Sequence, residues 1–294
     1  MTVFDSPALL LLATGGLVGL TFPFGKLAAQ AGLSPFVWAF VIACGGGVVL
    51  FGALLMSGRR PRADRASLVY YAITAAISYA LPNLLVLSAI PRLGAGYVSL
   101  MFTLSPVLTL LLSLLSGVRR PTALGVAGIA VGFAGAILVA TTRGEVGRPG
   151  DPLWIALALL IPVSLAAGNI YRSAFWPKDA TPIELAAGSN VAAAILLAAV
   201  SLVAARDFPI ASLSAAPWLV ATQVAASALM QALFFRLQVV GGPVYLSQIG
   251  YVAAAVGLLS GVMFLGETYA ATTWIGGGVI VIGVIMTTLA QRRA

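Results

Sequence analysis

Ten stretches of at least 20 residues carry no Asp, Glu, Lys or Arg: 6–25, 27–58, 66–91, 93–118, 121–142, 152–171, 185–205, 208–235, 237–266 and 268–291. About 20 apolar residues in a helix cross the hydrocarbon core of a bilayer, so this partition predicts an all-α polytopic membrane protein of ten transmembrane helices. The apolar runs are continuous and do not alternate with a period of two, which excludes a membrane barrel. With 61% hydrophobic and 8% charged residues the chain cannot clothe a soluble domain, since such domains run at roughly 45–50% apolar and about 25% charged. Ten spans of about 20 residues also leave too little chain for an extramembrane catalytic domain.

Turn chemistry supports the partition. Gly32-Leu33-Ser34-Pro35 separates spans 1 and 2, Pro91-Arg92-Leu93-Gly94 spans 3 and 4, and Gly241-Gly242-Pro243 spans 8 and 9. The longest polar linker, Thr142 to Pro152, divides the chain into five-helix halves, 1–145 and 146–294. The start Met1-Thr2-Val3-Phe4-Asp5 lacks a basic region, so no cleaved signal peptide is expected. With a cytoplasmic N-terminus, 11 basic residues fall inside (Arg59, Arg60, Arg62, Arg65, Arg119, Arg120, Arg172, Lys178, Arg236, Arg292, Arg293) and 5 outside (Lys26, Arg92, Arg143, Arg148, Arg206). That asymmetry predicts both termini cytoplasmic in a bacterial inner membrane.

The chemistry is narrowed by two further counts. There is no histidine, which removes His-based proton relays, metal sites and nucleophilic catalysis. The single Cys44 sits in an apolar run and reads as a packing residue. No metal, cofactor or catalytic residue is expected. The net charge of +8 comes from clusters between spans, so nucleic acid is not an expected partner.

The halves look like copies. A shift of 148 residues superposes Tyr97 on Tyr245, Ser99 on Ser247, Gly128 on Gly276, Gly135 on Gly283 and Asn83 on Gln231; a shift of 146 places Lys26 on Arg172. Five helices is an odd number, so the second copy must insert upside down, the inverted-repeat architecture of alternating-access carriers.

These residues also carry a family resemblance. Gly94-Ala95-Gly96-Tyr97-Val98-Ser99, the mid-helix Ser105-Pro106-Val107 and a glycine-rich following helix resemble the end of an EamA repeat. In the second half, Phe264-Leu265-Gly266-Glu267 before Gly276-Gly277-Gly278 resembles the signature of the same repeat. The likeness covers nearly the whole chain and is to the drug/metabolite transporter superfamily, ten-helix exporter branch, with the aromatic amino-acid exporter (YddG-like) group the nearest in kind. It implies export of amino acids and related metabolites from the bacterial cytoplasm. The sequence departs from the pattern at Ile42 and Ser189, where many members carry Arg, and at Ser116-Gly117-Val118-Arg119, which faces Leu265-Gly266-Glu267 of the second repeat.

Recognition of such a substrate needs polar groups on apolar walls, because unpaired polar groups are costly in hydrocarbon. Tyr79 and Asn83 share a face of helix 3; Gln223, Ser227 and Gln231 repeat the four-residue spacing on helix 8. The candidate substrate-binding set is Tyr79, Asn83, Phe102, Asn169, Gln231, Gln248 and Tyr251. Helix–helix hydrogen bonding is the alternative role for the carboxamides. Pro23, Pro82, Pro106 and Pro162 lie within spans and read either as gate hinges or as static kinks. The glycines of helices 5 and 10 read as scaffold or dimer contacts, in a monomer or homodimer.

No carboxylate lies at mid-span: Glu184 and Glu267 sit at span ends. Net export is therefore expected to follow the substrate gradient without a titrating side chain. The cavity is expected to be mostly uncharged, with Lys26 and Arg172 both near span ends. A cation-drug exporter wants a membrane carboxylate, a sugar-phosphate carrier several pore cations, and a channel a repeated polar ring; none of these is visible. Export of drugs or other hydrophobic metabolites stays the second reading, and an intramembrane enzyme lacks machinery. The expected partners are a small-molecule substrate and membrane lipid.

Overall fold

The structure, a computed structural model, describes residues 6–115, 122–141, 150–205 and 208–292. Among these residues it is all-helical. Four helices begin on a proline placed after a capping residue: α1 (Pro7–Gln30) after Ser6, α2 (Pro35–Met56) after Ser34, α6 (Pro152–Ala174) after Asp151 and α7 (Pro182–Val200) after Thr181. Proline costs nothing there, since the first N–H groups of a helix lack intrahelical acceptors. At α7 the cap is reciprocal: Thr181 N–H donates to the Glu184 carboxylate at 2.8 Å, and Glu184 N–H donates to Thr181 Oγ1 at 3.4 Å.

Two spans are irregular just before a proline. α3 (Arg65–Leu93) widens into a π-helical turn at Ala75–Ala80 ahead of Pro82, and α4 (95–115) tightens into a 3₁₀ turn at Phe102–Leu104 ahead of Pro106. A proline cannot donate to the carbonyl four residues back, so the local pitch adjusts. Ser164 Oγ compensates in α3 by donating to Ile77 O at 2.6 Å. Asp64 caps α3 by accepting from Ser67 Oγ and Ser67 N–H, bonds that hold its carboxyl below the usual carboxylate range.

The remaining spans are α5 (Ala123–Ala140), α8 (217–241), α9 (243–265) and α10 (Ala271–Arg292). The break between α8 and α9 is Gly242, with φ 70° and ψ 179°, and 148 residues earlier Gly94 opens α4 with φ 90° and ψ 150°. That backbone region is open essentially to glycine alone. The expected Gly241-Gly242-Pro243 boundary is thus where the helix breaks, while the span limits drawn at charges shift. α1 runs on past Lys26, α6 past Arg172 and α8 past Arg236; a 3₁₀ turn at Ile210–Ala215 takes the place of the expected start of span 8. A charge near a span edge does not end helical geometry. Most of the Thr142–Pro152 linker, and with it the 145/146 division, lies outside the described residues, as do Ser116-Gly117-Val118-Arg119 and Met1 to Asp5.

The main helix pairings obey the repeat. α2 packs on α7, α4 on α9 and α5 on α10; the pair α1–α9 is matched by α6–α4, and α2–α8 by α7–α3. Exchanging each helix for the one five places along returns the same set, which is the two-fold relation of inverted repeats. All of these pairings join one repeat to the other. The most extensive, α5 on α10, is glycine-mediated: a Cβ on Gly135 would lie 2.7 Å from Gly276 O, and one on Gly283 2.5 Å from Gly128 O. These glycines serve an intrachain seam between the repeats.

Candidate functional site

Where α1, α2, α3, α4, α6, α8 and α9 diverge they leave a cavity of about 100 Å³, against the roughly 10–15 Å³ on the same measure that admits one water. Its wall is largely apolar, with Val18, Val86, Phe102, Leu165, Met230, Phe234, Leu246 and Ile249. Polar groups come from both repeats: Thr21, Ser78, Tyr79, Asn83 and Ser105 from the first, Asn169, Arg172, Gln231 and Ser247 from the second. Phe102 is fixed edge-on against Phe22, with ring centroids 5.0 Å apart. Behind it, a Cβ on Gly250 would come within 2.3 Å of Phe102 O, which accepts the Ser105 N–H in place of the donor that Pro106 lacks.

Five of the seven sequence candidates, Tyr79, Asn83, Phe102, Asn169 and Gln231, lie on this wall. Gln248 and Tyr251 do not. Gln248 is buried in the turn between the two helical stretches of α9, and Tyr251 packs with Leu100, Val139 and Ile280 on the far side of the helix. The reason is helical phase: the turn at Gln248 rotates α9 so that Ile249 and Gly250 face the cavity instead. Of the four prolines, Pro82 lines the cavity, and Pro23, Pro106 and Pro162 are buried within their helices.

Two hydrogen-bond systems adjoin the cavity. In the first, Tyr79 OH donates to Gln231 Oε1 at 3.0 Å, Gln231 Nε2 to Asn190 Oδ1 at 3.1 Å and Asn190 Nδ2 to Ala186 O at 2.8 Å. It links α3, α8 and α7, so here the carboxamides do bond helix to helix. The second centres on Arg172, which is 2% exposed. Its Nε donates to Gln238 Oε1 at 2.9 Å, one terminal nitrogen to Ser78 Oγ and the other to Asn169 Oδ1 at 2.7 Å. Gln238 Nε2 donates to Ser173 Oγ at 3.0 Å, Asn169 Nδ2 to Thr109 Oγ1 at 3.3 Å, and the guanidinium carbon lies 4.8 Å from the centre of the Phe234 ring.

Arg172 is in the last turn of α6, at the span end as expected, but its side chain is buried and does not reach out to a water boundary. α6 continues to Ala174, and the guanidinium turns inward because Ser78, Asn169 and Gln238 satisfy it there. The i, i+3 spacing of Asn169 and Arg172 is the sequence signal that places both on one face. Ser78 and Gln238 had no such signal: Ser78 is one of many small residues, and Gln238 falls beyond the expected end of span 8.

Away from the cavity wall, the equivalent cation of the first repeat behaves differently. Lys26 Nζ is 2.6 Å from Glu267 Oε1, and the Glu267 carboxylate also accepts Ala95 N–H at 2.8 Å, Gly96 N–H at 3.0 Å and the Tyr269 hydroxyl. Those two N–H groups open α4, so the carboxylate sits at a helix N-terminus as well as on an ammonium. Gly266, at φ 65°, turns the chain after α9 so that Glu267 reaches them. Burial pushes the Glu267 pKa up, but the bonds from Lys26, Tyr269, Gly96 and Ala95 outweigh it, and the net shift is below the usual 4.5.

The sequence model described as the EamA-like transporter family matches residues 6–141 and again 152–289. Curated relatives include an uncharacterized inner membrane transporter, YedA, of Escherichia coli K12, 26% identical over 263 residues that cover 87% of this chain and 82% of the relative. The same protein from Escherichia coli O157:H7 matches equally. A crystal structure of a protein 18% identical superposes with a TM-score of 0.64 over 95% of this chain and 98% of its own, a likeness of fold.

Proposed function

The chain belongs to the EamA-like transporter family, and on that premise we propose that it is a bacterial inner-membrane carrier exporting amino acids or similar small amphipathic metabolites by alternating access. As a family member it is a transporter of small molecules, not an enzyme. The observation that carries the finer reading is the cavity itself: set between the two repeats, apolar over most of its wall, and polar at a few points supplied by both halves. An amphipathic solute meets its needs there without a water-filled pore.

In this reading Tyr79, Asn83, Phe102, Asn169 and Gln231 contact the substrate, and the irregular turns ahead of Pro82 and Pro106 flex as the repeats rock. Both termini are cytoplasmic, from the excess of basic residues on that side. Net export follows the substrate gradient. Counterflow tests the proposal: liposomes holding the purified chain and an excess of unlabelled Phe, Met, Thr or Lys should accumulate the matching labelled amino acid transiently. Equilibration without exchange stimulation would indicate a channel. Uptake that collapses when an imposed proton gradient is dissipated, at fixed substrate gradient, would overturn gradient-driven export.

A further inference from the structure

We propose that Arg172 is the anion-recognition residue of the cavity and that the substrate it selects carries a carboxylate. This deepens the carrier reading and rests on it. A guanidinium has five N–H donors and remains protonated in proteins. The hydrogen bonds to Gln238, Ser78 and Asn169 use one N–H each, which leaves two, one on each terminal nitrogen. Those two nitrogens form the fork that meets a carboxylate with two parallel bonds. Among the described residues no Asp or Glu lies within ion-pair distance of Arg172, whose three partners are neutral.

A fully buried cation held only by neutral hydrogen-bond acceptors and one aromatic face is a costly arrangement for structure alone, because a neutral residue would join the same helices without desolvating a charge. The side chain nevertheless forms part of the cavity wall, beside Ser78 and Asn169. A substrate carboxylate entering that corner completes the ion pair, while its remainder lies toward Phe102, Leu246 and Ile249. The Ser78 hydroxyl and the Asn169 carboxamide oxygen hold the guanidinium in place; Ser78 is a positioning residue, and Asn169 also faces the substrate. The chemical class is therefore a small organic acid with an uncharged or zwitterionic remainder, amino acids included, and not an amine lacking an acid group.

The test compares amino acids with their amides, which keep the side chain and amine but lose the carboxylate. Against counterflow of labelled Phe, Met or Thr by the reconstituted full chain, the free acid should compete at a concentration roughly tenfold or more below that of its amide. Arg172→Gln should abolish that difference, and Arg172→Lys should restore part of it. Equal competition by acid and amide in the unmutated protein overturns the assignment and leaves the carrier reading intact. So does unchanged half-saturation in an Arg172→Gln variant that remains monodisperse. If Arg172→Gln does not fold, the acid-to-amide ratio of the unmutated protein decides. If no amino acid exchanges at all, the amino-acid carrier reading fails, and thermal unfolding with 3-phenylpropanoate against phenethylamine decides for Arg172. Stabilisation by the acid alone upholds the assignment; stabilisation by neither, or by both equally, overturns it.

Discussion

Lys26 and Arg172 occupy corresponding places in the two repeats and have opposite electrostatic fates. Lys26 ends at a carboxylate 2.6 Å away, in a cluster that also binds two backbone N–H groups. Arg172 is more deeply buried and ends on a hydroxyl and two carboxamides, with part of its surface on the cavity. The inverted fold supplies two equivalent cations, and the difference between them is one residue of the connection after α9, Glu267. One repeat has committed its cation to joining α1 with α4 and α9. The other has kept its cation for whatever enters.

The comparison breaks most severely at Glu267. Glu267→Ala leaves Lys26 partly buried without its counter-ion and removes the acceptor for Ala95 and Gly96. The expected loss is about 3–5 kcal/mol, read as a large fall in the unfolding midpoint in detergent; an unchanged midpoint would deny the cluster its structural role. Acid should reproduce part of that loss. A carboxyl whose folded pKa is depressed contributes stability that is present above its unfolded value and is lost as pH falls through the folded one. The midpoint should therefore hold near neutrality and drop below pH 4.5, and in Glu267→Gln that drop should be smaller, leaving the part that Asp64 contributes.

On the unpaired side, Gln238→Met removes the acceptor of Arg172 Nε. A hydrogen bond to a charged group is worth about 1.5–3 kcal/mol, so the midpoint should fall less than for Glu267→Ala while the acid-over-amide preference weakens. Tyr79→Phe has the smallest expected effect. It removes a neutral bond to Gln231, at about 0.5–1.5 kcal/mol, and should leave the preference for acids unchanged, because Tyr79 does not bond Arg172. A Tyr79→Phe variant that lost that preference would merge the two hydrogen-bond systems into one.

Much of the architecture is legible in the residues because the bilayer is a demanding solvent. Charge-free runs can only be spans, five spans per copy forces inversion, and Gly242 before Pro243 can only be a break. Less of the site is legible. Tyr79, Asn83, Phe102, Asn169 and Gln231 stand on the cavity wall because polar groups on spans avoid lipid. Tyr251 obeys the same rule away from the cavity, because its phenol is buried against α4, α5 and α10. Arg172 is concealed by its position two residues from the end of α6 at Ala174, where a cation normally reaches for water. Which way it turns depends on Ser78 of α3 and Gln238 of α8, contacts that no single span encodes. The π-helical turn at Ala75–Ala80 was hidden for a related reason. Pro82 announces a disturbance, but Ser164 of another helix stabilises its form.

Because the chief helix pairings all run between repeats, the molecule faces a problem of timing during synthesis. α1 to α5 enter the membrane before any of their main partners has been translated. Until then lipid, or the insertion machinery, must cover faces such as the one where Gly135 later meets Gly276. Lys26 must wait through 241 further residues for Glu267. The first half is thus an unfinished surface held in the bilayer, and assembly of the native protein belongs to the closing moments of chain elongation.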